Sequence, residues 1–350
     1  LSGNAAKPGM DWYSAYDDPT YFPDTSYTQL SRDGARVAGY AILNNTLATF
    51  LQGSTDGRSV VVRTGSLDSD GEALFRITNT LIGEDAAAPG TFAMAGKEPL
   101  FLTERGIYAI TAEELTGEKY SQERSYYISA ELEKAEDKAG ARAIVWRDFY
   151  ILALGSTLYL LDLRQRSYEK NSPYSSFQYE CYYFPDITAR VLFQDGDALC
   201  FGQADGKLRR FGTNVDDPSC YNDDGAAIDA YWEFSDFDGQ TFFRAKTFTG
   251  ISVRLASAVL TGVRIFAQKQ GLWSQVFDAK ERARYLDWGY IDFAKFVFSA
   301  DRTPRTLWGK IKLKKVDKVR FRLQNNALNE PFGLYAFGLE WKEPGGNYMR

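Results

Sequence analysis

Tyr150-Ile-Leu-Ala-Leu-Gly-Ser-Thr-Leu-Tyr-Leu-Leu161 is two apolar runs joined by a short Gly-Ser turn, the signature of a β-hairpin. The same form occurs three more times. Ala48-Thr-Phe-Leu-Gln-Gly53 leads to Val60-Val-Val-Arg63, Leu100-Phe-Leu-Thr-Glu-Arg-Gly106 to Ile107-Tyr-Ala-Ile110, and Cys200-Phe-Gly-Gln-Ala-Asp-Gly206 to Lys207-Leu-Arg-Arg-Phe211. Aligning Phe50, Phe101, Ile151 and Phe201 gives a repeat of about 50 residues. A third run precedes each hairpin: Gly39-Tyr-Ala-Ile42, Thr91-Phe-Ala-Met94, Ala143-Ile-Val-Trp146 and Ala189-Arg-Val-Leu-Phe193. Three units have a fourth run downstream, Ala73-Leu-Phe-Arg-Ile77, Ser125-Tyr-Tyr-Ile-Ser129 and Tyr179-Glu-Cys-Tyr-Tyr-Phe184. Four-stranded antiparallel units repeating every ~40–50 residues predict β-propeller blades, at least four of them. The four aligned residues are expected at matching inner-strand positions, packed between blades.

The rest of the chain is organised around this repeat. Residues 1–35 are dense in aromatics, Pro, Asp and Asn and show no sustained period of 2 or 3.6, so they read as an aromatic-rich N-terminal segment. The blades occupy 36–225, ending in the turn-rich stretch that contains Pro218 and Asp223-Asp224-Gly225. In 226–350 the 50-residue unit is lost. Alternating runs there, such as Ile228–Phe234, Phe248–Leu255, Gly262–Ala267, Lys295–Ser299, Val319–Leu323 and Tyr335–Trp341, predict a β-sandwich or jelly roll. Ile228–Phe234 has a second reading, as the outer strand of the fourth blade. The one helix expected is short, Ser129–Lys138, with Ser129 as its cap and a place between blades. The fold class is therefore all-β.

Composition removes several function classes. There is no histidine, so His-activated Ser or Cys nucleophiles, His acid–base catalysis and His-ligated zinc are excluded. The three cysteines Cys181, Cys200 and Cys220 follow no metal spacing, and their odd number predicts free thiols made in a reducing compartment. A net charge of −5 offers no general attraction for nucleic acid. No apolar run approaches the ~18 residues of a membrane span. No Gly-rich phosphate loop or other cofactor signature is present, and the chain opens at Leu1 rather than Met, as a fragment of a longer protein would.

Carboxylate chemistry is what remains for an enzyme. Glycosidases need only two carboxyl groups across a sugar-sized gap, and the 46 acidic residues supply many candidates without singling any out. Ser66-Leu-Asp-Ser-Asp-Gly71 is close to the Asp-box turn of sialidases, with its glycine one place late. Asp68-Ser-Asp-Gly-Glu72 alternates oxygens as a calcium loop does but lacks the remaining ligands; a plain acidic turn accounts for both. Two groups are candidates for an interface instead. Trp12, Tyr13, Tyr21 and Phe22 belong to no strand pattern, so they either cover a propeller edge or contact a neighbouring subunit. In Lys310–Leu323, the cations Lys310, Lys312 and Lys314, then Lys318, Arg320 and Arg322, oppose an apolar face, either as a solvated surface or as a patch for an acidic partner.

A resemblance joins these features. Leu1-Ser-Gly-Asn4, Asp11-Trp-Tyr-Ser14, Asp18-Pro-Thr-Tyr-Phe-Pro-Asp24, Pro99-Leu-Phe-Leu-Thr-Glu-Arg-Gly-Ile-Tyr108 and Asn329-Glu-Pro-Phe-Gly-Leu-Tyr335 resemble a group of structural proteins of tailed bacteriophages and prophages. The resemblance implies a virion component of the head–tail connection or tail, synthesised in the bacterial cytoplasm. It also implies partners among other virion proteins or further copies of itself, without enzymatic activity. The alternative function is a carbohydrate-active propeller, either a glycosidase using Asp and Glu or a glycan-binding receptor protein.

Overall fold

In the computed structural model, residues 1–43, 45–112, 119–168, 176–215, 217–239, 241, 243–256, 260–282, 284–285, 300–301, 303–304 and 306–343 are described. The predicted run Lys295–Ser299 lies outside them. The chain is all-β and divides into two compact units, Leu1–Phe211 and Gly212–Arg350. None of its described helices is long and apolar enough to cross a membrane.

The first unit opens with a ribbon of β1 (Met10–Trp12) and β2 (Tyr27–Gln29). Four antiparallel meanders follow. The first sheet runs β3 (Arg36–Leu43), β4 (Thr46–Gln52), β5 (Arg58–Leu67) and β6 (Ala73–Ile82). The second is β7 (Ala93–Ala95), β8 (Glu98–Leu102), β9 (Ile107–Ala112) and β10 (Lys119–Glu123). The third is β11 (Arg142–Trp146), β12 (Phe149–Leu154), β13 (Thr157–Tyr168) and β14 (Phe177–Phe184). The fourth has three strands, β15 (Val191–Asp195), β16 (Ala198–Gly202) and β17 (Leu208–Arg210). Each sheet is blade-like, in chain order, with every neighbour antiparallel.

Apolar seams hold successive sheets together. Between the first and second, Ala48, Phe50, Val60 and Val62 meet Phe101 and Ile110. Between the second and third, Leu100, Leu102 and Ile107 meet Tyr150, Leu152 and Leu161. Between the third and fourth, Ile151, Ala153 and Leu160 meet Leu199 and Phe201. This corrects the alignment of Phe50, Phe101, Ile151 and Phe201. All four are buried, but they meet in pairs across two seams instead of occupying one repeated position. Phe50 and Ile151 face the following sheet, whereas Phe101 and Phe201 face the preceding one. In a pleated strand a shift of one residue reverses the face, so the spatial equivalents of Phe50 in β8 and β16 are neighbours of the aligned residues.

The first seam depends on a glycine. Gly39 lies opposite Phe50, and a Cβ there would come within 2.5 Å of the Phe92 ring. The space lets Phe92, Phe50 and Phe101 form a three-ring cluster with centroid separations of 4.5, 4.8 and 5.6 Å.

A second correction concerns the outer strand of the second sheet. Ser125–Ser129 is not that strand; the pairing ends at Arg124, whose N–H donates to the Ile107 carbonyl, and Ser125 Oγ accepts from Ile107 N–H. Both residues are buried, so the chain turns inward at this point into a 3-10 turn, Tyr126–Ile128, and α1 (Ser129–Lys134). The strand role passes to β10. The helix is shorter than predicted, and its N-cap position is Ile128, which makes no side-chain capping bond; Ser129 Oγ donates back to the Tyr126 carbonyl instead.

The second unit begins ahead of the turn-rich stretch assigned to the blades. Asn222 Nδ2 donates to Asn329 Oδ1 at 2.8 Å, which attaches that stretch to the sandwich. One sheet is built from β18 (Ala230–Glu233), β25 (Arg320–Asn325), β20 (Leu260–Lys269) and β21 (Leu272–Arg282), in that order. Its partner orders β24 (Thr306–Val316), β19 (Lys246–Leu255) and β26 (Leu334–Lys342). A short ribbon pairs β22 (Arg284–Tyr285) with β23 (Ala300–Asp301). The inner faces share one core, with Val263, Ile265, Phe321 and Leu323 from the first sheet and Phe248, Ile251, Val253, Ile311 and Leu313 from the second. Ile228–Phe234 therefore belongs, through β18, to the sandwich and not to the fourth blade.

Candidate functional site

The N-terminal segment is attached to the first sheet by one buried ion pair. Asp11, in β1, is 4% exposed and meets Arg63 of β5, which is 1% exposed, through a two-pronged bond with N–O distances of 2.9 and 2.5 Å. Arg63 also donates to Thr49 Oγ1 at 2.9 Å, and Tyr40 donates its hydroxyl to Asp11. A guanidinium taken out of water needs such a paired carboxylate, and the pair fixes where β1 lies. Below it, Leu30 and Ala35 pack on Leu51 and Val61 of the first sheet's outer face.

Asp33 makes a second attachment. Its carboxylate accepts from Ser31 Oγ, the Ala35 and Thr55 N–H groups and Thr55 Oγ1. The Ser31 hydroxyl is the largest of the influences that hold its pKa well below the usual carboxylate range. The predicted aromatic quartet is thereby divided. Tyr13 packs edge-on against Phe75 at 5.1 Å, and burial raises its phenol pKa; Trp12 and Phe22 are half-buried. Tyr21 instead points outward at 60% exposure, held in a turn where Ala15 N–H donates to the Tyr21 carbonyl and Asp18 accepts from Thr20. Tyr16 and Tyr27 are outward as well. Trp12 belongs to a strand after all, one too short to register as an alternation.

The basic run of the sandwich is also divided. Lys312 and Lys314 project from β24, while Arg320 and Arg322 project from β25. These strands lie in opposite sheets of one core, so the six cations do not form one patch. The β25 side is neutralised: Lys318 and Arg320 bind Asp236 at 2.6 and 3.0 Å. Arg322 binds Glu233 and stacks over Trp273 and Tyr231, at 4.5 and 5.1 Å from their centroids. The lysines of β24 have no carboxylate at ion-pair distance among the described residues. Trp308, 51% exposed, shares their face; the alternation Trp308-x-Lys310-x-Lys312-x-Lys314 carried that signal in the sequence.

Of the acidic groups, Asp68 caps its own turn, with Oδ1 accepting from the Asp70 and Glu72 N–H groups at 2.9 Å. Burial raises the pKa of Glu123, at the end of β10, and of Asp85, in the link between the first two sheets. The three cysteines are free thiols, and burial pushes that of Cys181 up to about 12.

No family model matches the chain. No curated protein matches it either. Among solved structures it is similar to two crystal structures of exo-β-1,3-galactanase from Phanerochaete chrysosporium, both with β-1,3-galactotriose. The first has a TM-score of 0.27 at 9% identity over 97% of this chain and 92% of that one. The second has a TM-score of 0.26 at 11% identity over 97% and 76%.

Proposed function

We propose that this chain is a non-enzymatic structural protein of a phage or prophage particle. Its seam-packed antiparallel sheets act as a stiff platform, and its N-terminal segment docks on a second copy or another particle protein. The observation that carries the reading is the attachment of that segment. Asp11 is inserted as a buried anchor against Arg63, while Tyr16, Tyr21 and Tyr27 stay outward at 59%, 60% and 47% exposure. Aromatics held rigid on a surface lose little entropy on docking, which is why such residues dominate interfaces. The resemblance of Asp11–Ser14 and Asp18–Asp24 to phage structural proteins supports the choice of particle, since it falls on this same segment.

Sedimentation of the purified chain over a concentration series tests the reading. Tyr21→Ala should weaken self-association by ~2 kcal/mol or more with the unfolding temperature unchanged. Tyr13→Ala, which removes a contact with Phe75, should lower that temperature and leave association per folded molecule intact. Hydrolysis of a polysaccharide, abolished by replacing one Asp or Glu, would sink the structural role.

A further inference from the structure

The outward face of the β24–β19–β26 sheet combines small residues, cations and an exposed indole. Strand pairing sets Trp308 beside Ser252, with Gly338 beyond it, and Lys310 beside Gly250, with Glu340 beyond. In the next row Arg254 lies between Thr306 and Ala336, and its Nε donates to Thr306 Oγ1 at 3.1 Å. The floor next to the indole is therefore made of small residues, and Trp308 stands over it half in solvent. A large apolar ring left beside a flat polar floor offers a stacking surface that folding does not use.

Charge decides the partner. The chain carries −5 overall, yet Arg254, Lys310, Lys312 and Lys314 oppose a single carboxylate on this face among the described residues, Glu340. The three lysines have no carboxylate partner among the described residues, whereas Lys318, Arg320 and Arg322 on the other sheet are paired. Lysines at alternate strand positions recur about every 7 Å, a ladder suited to a linear polymer with regularly spaced anionic groups. An exposed aromatic ring on a flat face, in an acidic protein, fits a sugar ring better than a nucleic-acid strand, which is held by a basic groove with several stacked bases.

We propose that this face binds an anionic polysaccharide, with Trp308 stacked on the C–H face of a sugar ring and Arg254, Lys310 and Lys312 holding its carboxylate or phosphate groups. The site is independent of the assembly role of the N-terminal segment.

Affinity electrophoresis in gels containing polygalacturonate, hyaluronate or dextran, with a competing thymidine oligonucleotide, tests it. Retardation by the two acidic polymers and not by dextran is expected. Trp308→Ala should weaken it by ~10-fold or more, the size of an aromatic stacking contact. Lys310→Gln with Lys312→Gln should weaken it and flatten its salt dependence. Arg320→Gln, on the opposite face, should leave it unchanged. Because the two lysines are exposed, their variant keeps the test valid even where Trp308→Ala disturbs folding. The proposal fails if neither acidic polymer retards the chain, if dextran does so equally, or if the oligonucleotide binds more tightly than the polysaccharides. It also fails if the folded Trp308 and lysine variants both bind as the parent does.

Discussion

Asp11 and Arg63 have 51 residues between them and touch at 2.5 Å, and each is a poor residue to bury alone. Removing the carboxylate leaves a guanidinium without its counter-charge inside the first sheet, so Asp11→Ala should destabilise the protein by ~3–5 kcal/mol. Urea unfolding measures this, and a loss below about 1 kcal/mol would show that Arg63 reaches water once its partner is gone. Asp162 makes a pH-dependent contribution of known sign. Arg164 donates Nε to Oδ1 and a terminal nitrogen to Oδ2, both at 2.9 Å, and these bonds hold the Asp162 carboxyl below its ordinary pKa. A depressed carboxyl binds fewer protons folded than unfolded, so its contribution is present above the unfolded pKa of ~3.9 and is lost as pH falls through the lower folded value. The stability gap between the parent and Asp162→Asn should therefore be wide near neutrality and close below about pH 4. A gap that stays constant through that range would remove Asp162 from the acid response.

Seams between sheets decide what each strand tolerates. Phe50 and Phe101 lie 4.8 Å apart, so Phe50→Ala and Phe101→Ala should each cost ~3–5 kcal/mol. Because they share one cavity, the double variant should cost less than the sum by ~0.5 kcal/mol or more. Additive losses in unfolding titrations would mean that the two rings act separately. The same seam explains why the hairpins were legible and their facing was not. A hairpin is written locally, in two apolar runs and a turn. Which face of β8 meets β4 is set by contacts between residues distant in sequence, and a strand buried on both faces has no alternation to reveal it. The strand misread at Ser125–Ser129 failed for a related reason. Its Tyr-Tyr-Ile pattern suits a strand, but the preceding Arg124 is drawn inward to Glu98 and to the Phe177 carbonyl, 3.0 and 2.9 Å away, and the chain has to turn.

At the scale of the whole molecule, two units with separate cores behave as domains do. Residues 212–350 produced alone should give a cooperative thermal transition followed by circular dichroism, and a flat, transitionless melt would show that this core depends on the preceding sheets. The all-β class, the hairpin repeat and the change of pattern after the fourth sheet were determined by the sequence itself, since apolar alternation, turn residues and β-branched content act over a few residues. The division of the aromatic quartet into an inward Tyr13 and an outward Tyr21 was settled only by tertiary structure, as were the pairing of Asp11 with Arg63 and the separation of Lys312 and Lys314 from Arg320 and Arg322. Each depends on which strands become neighbours, and burial and charge pairing act through space between residues that the chain keeps far apart.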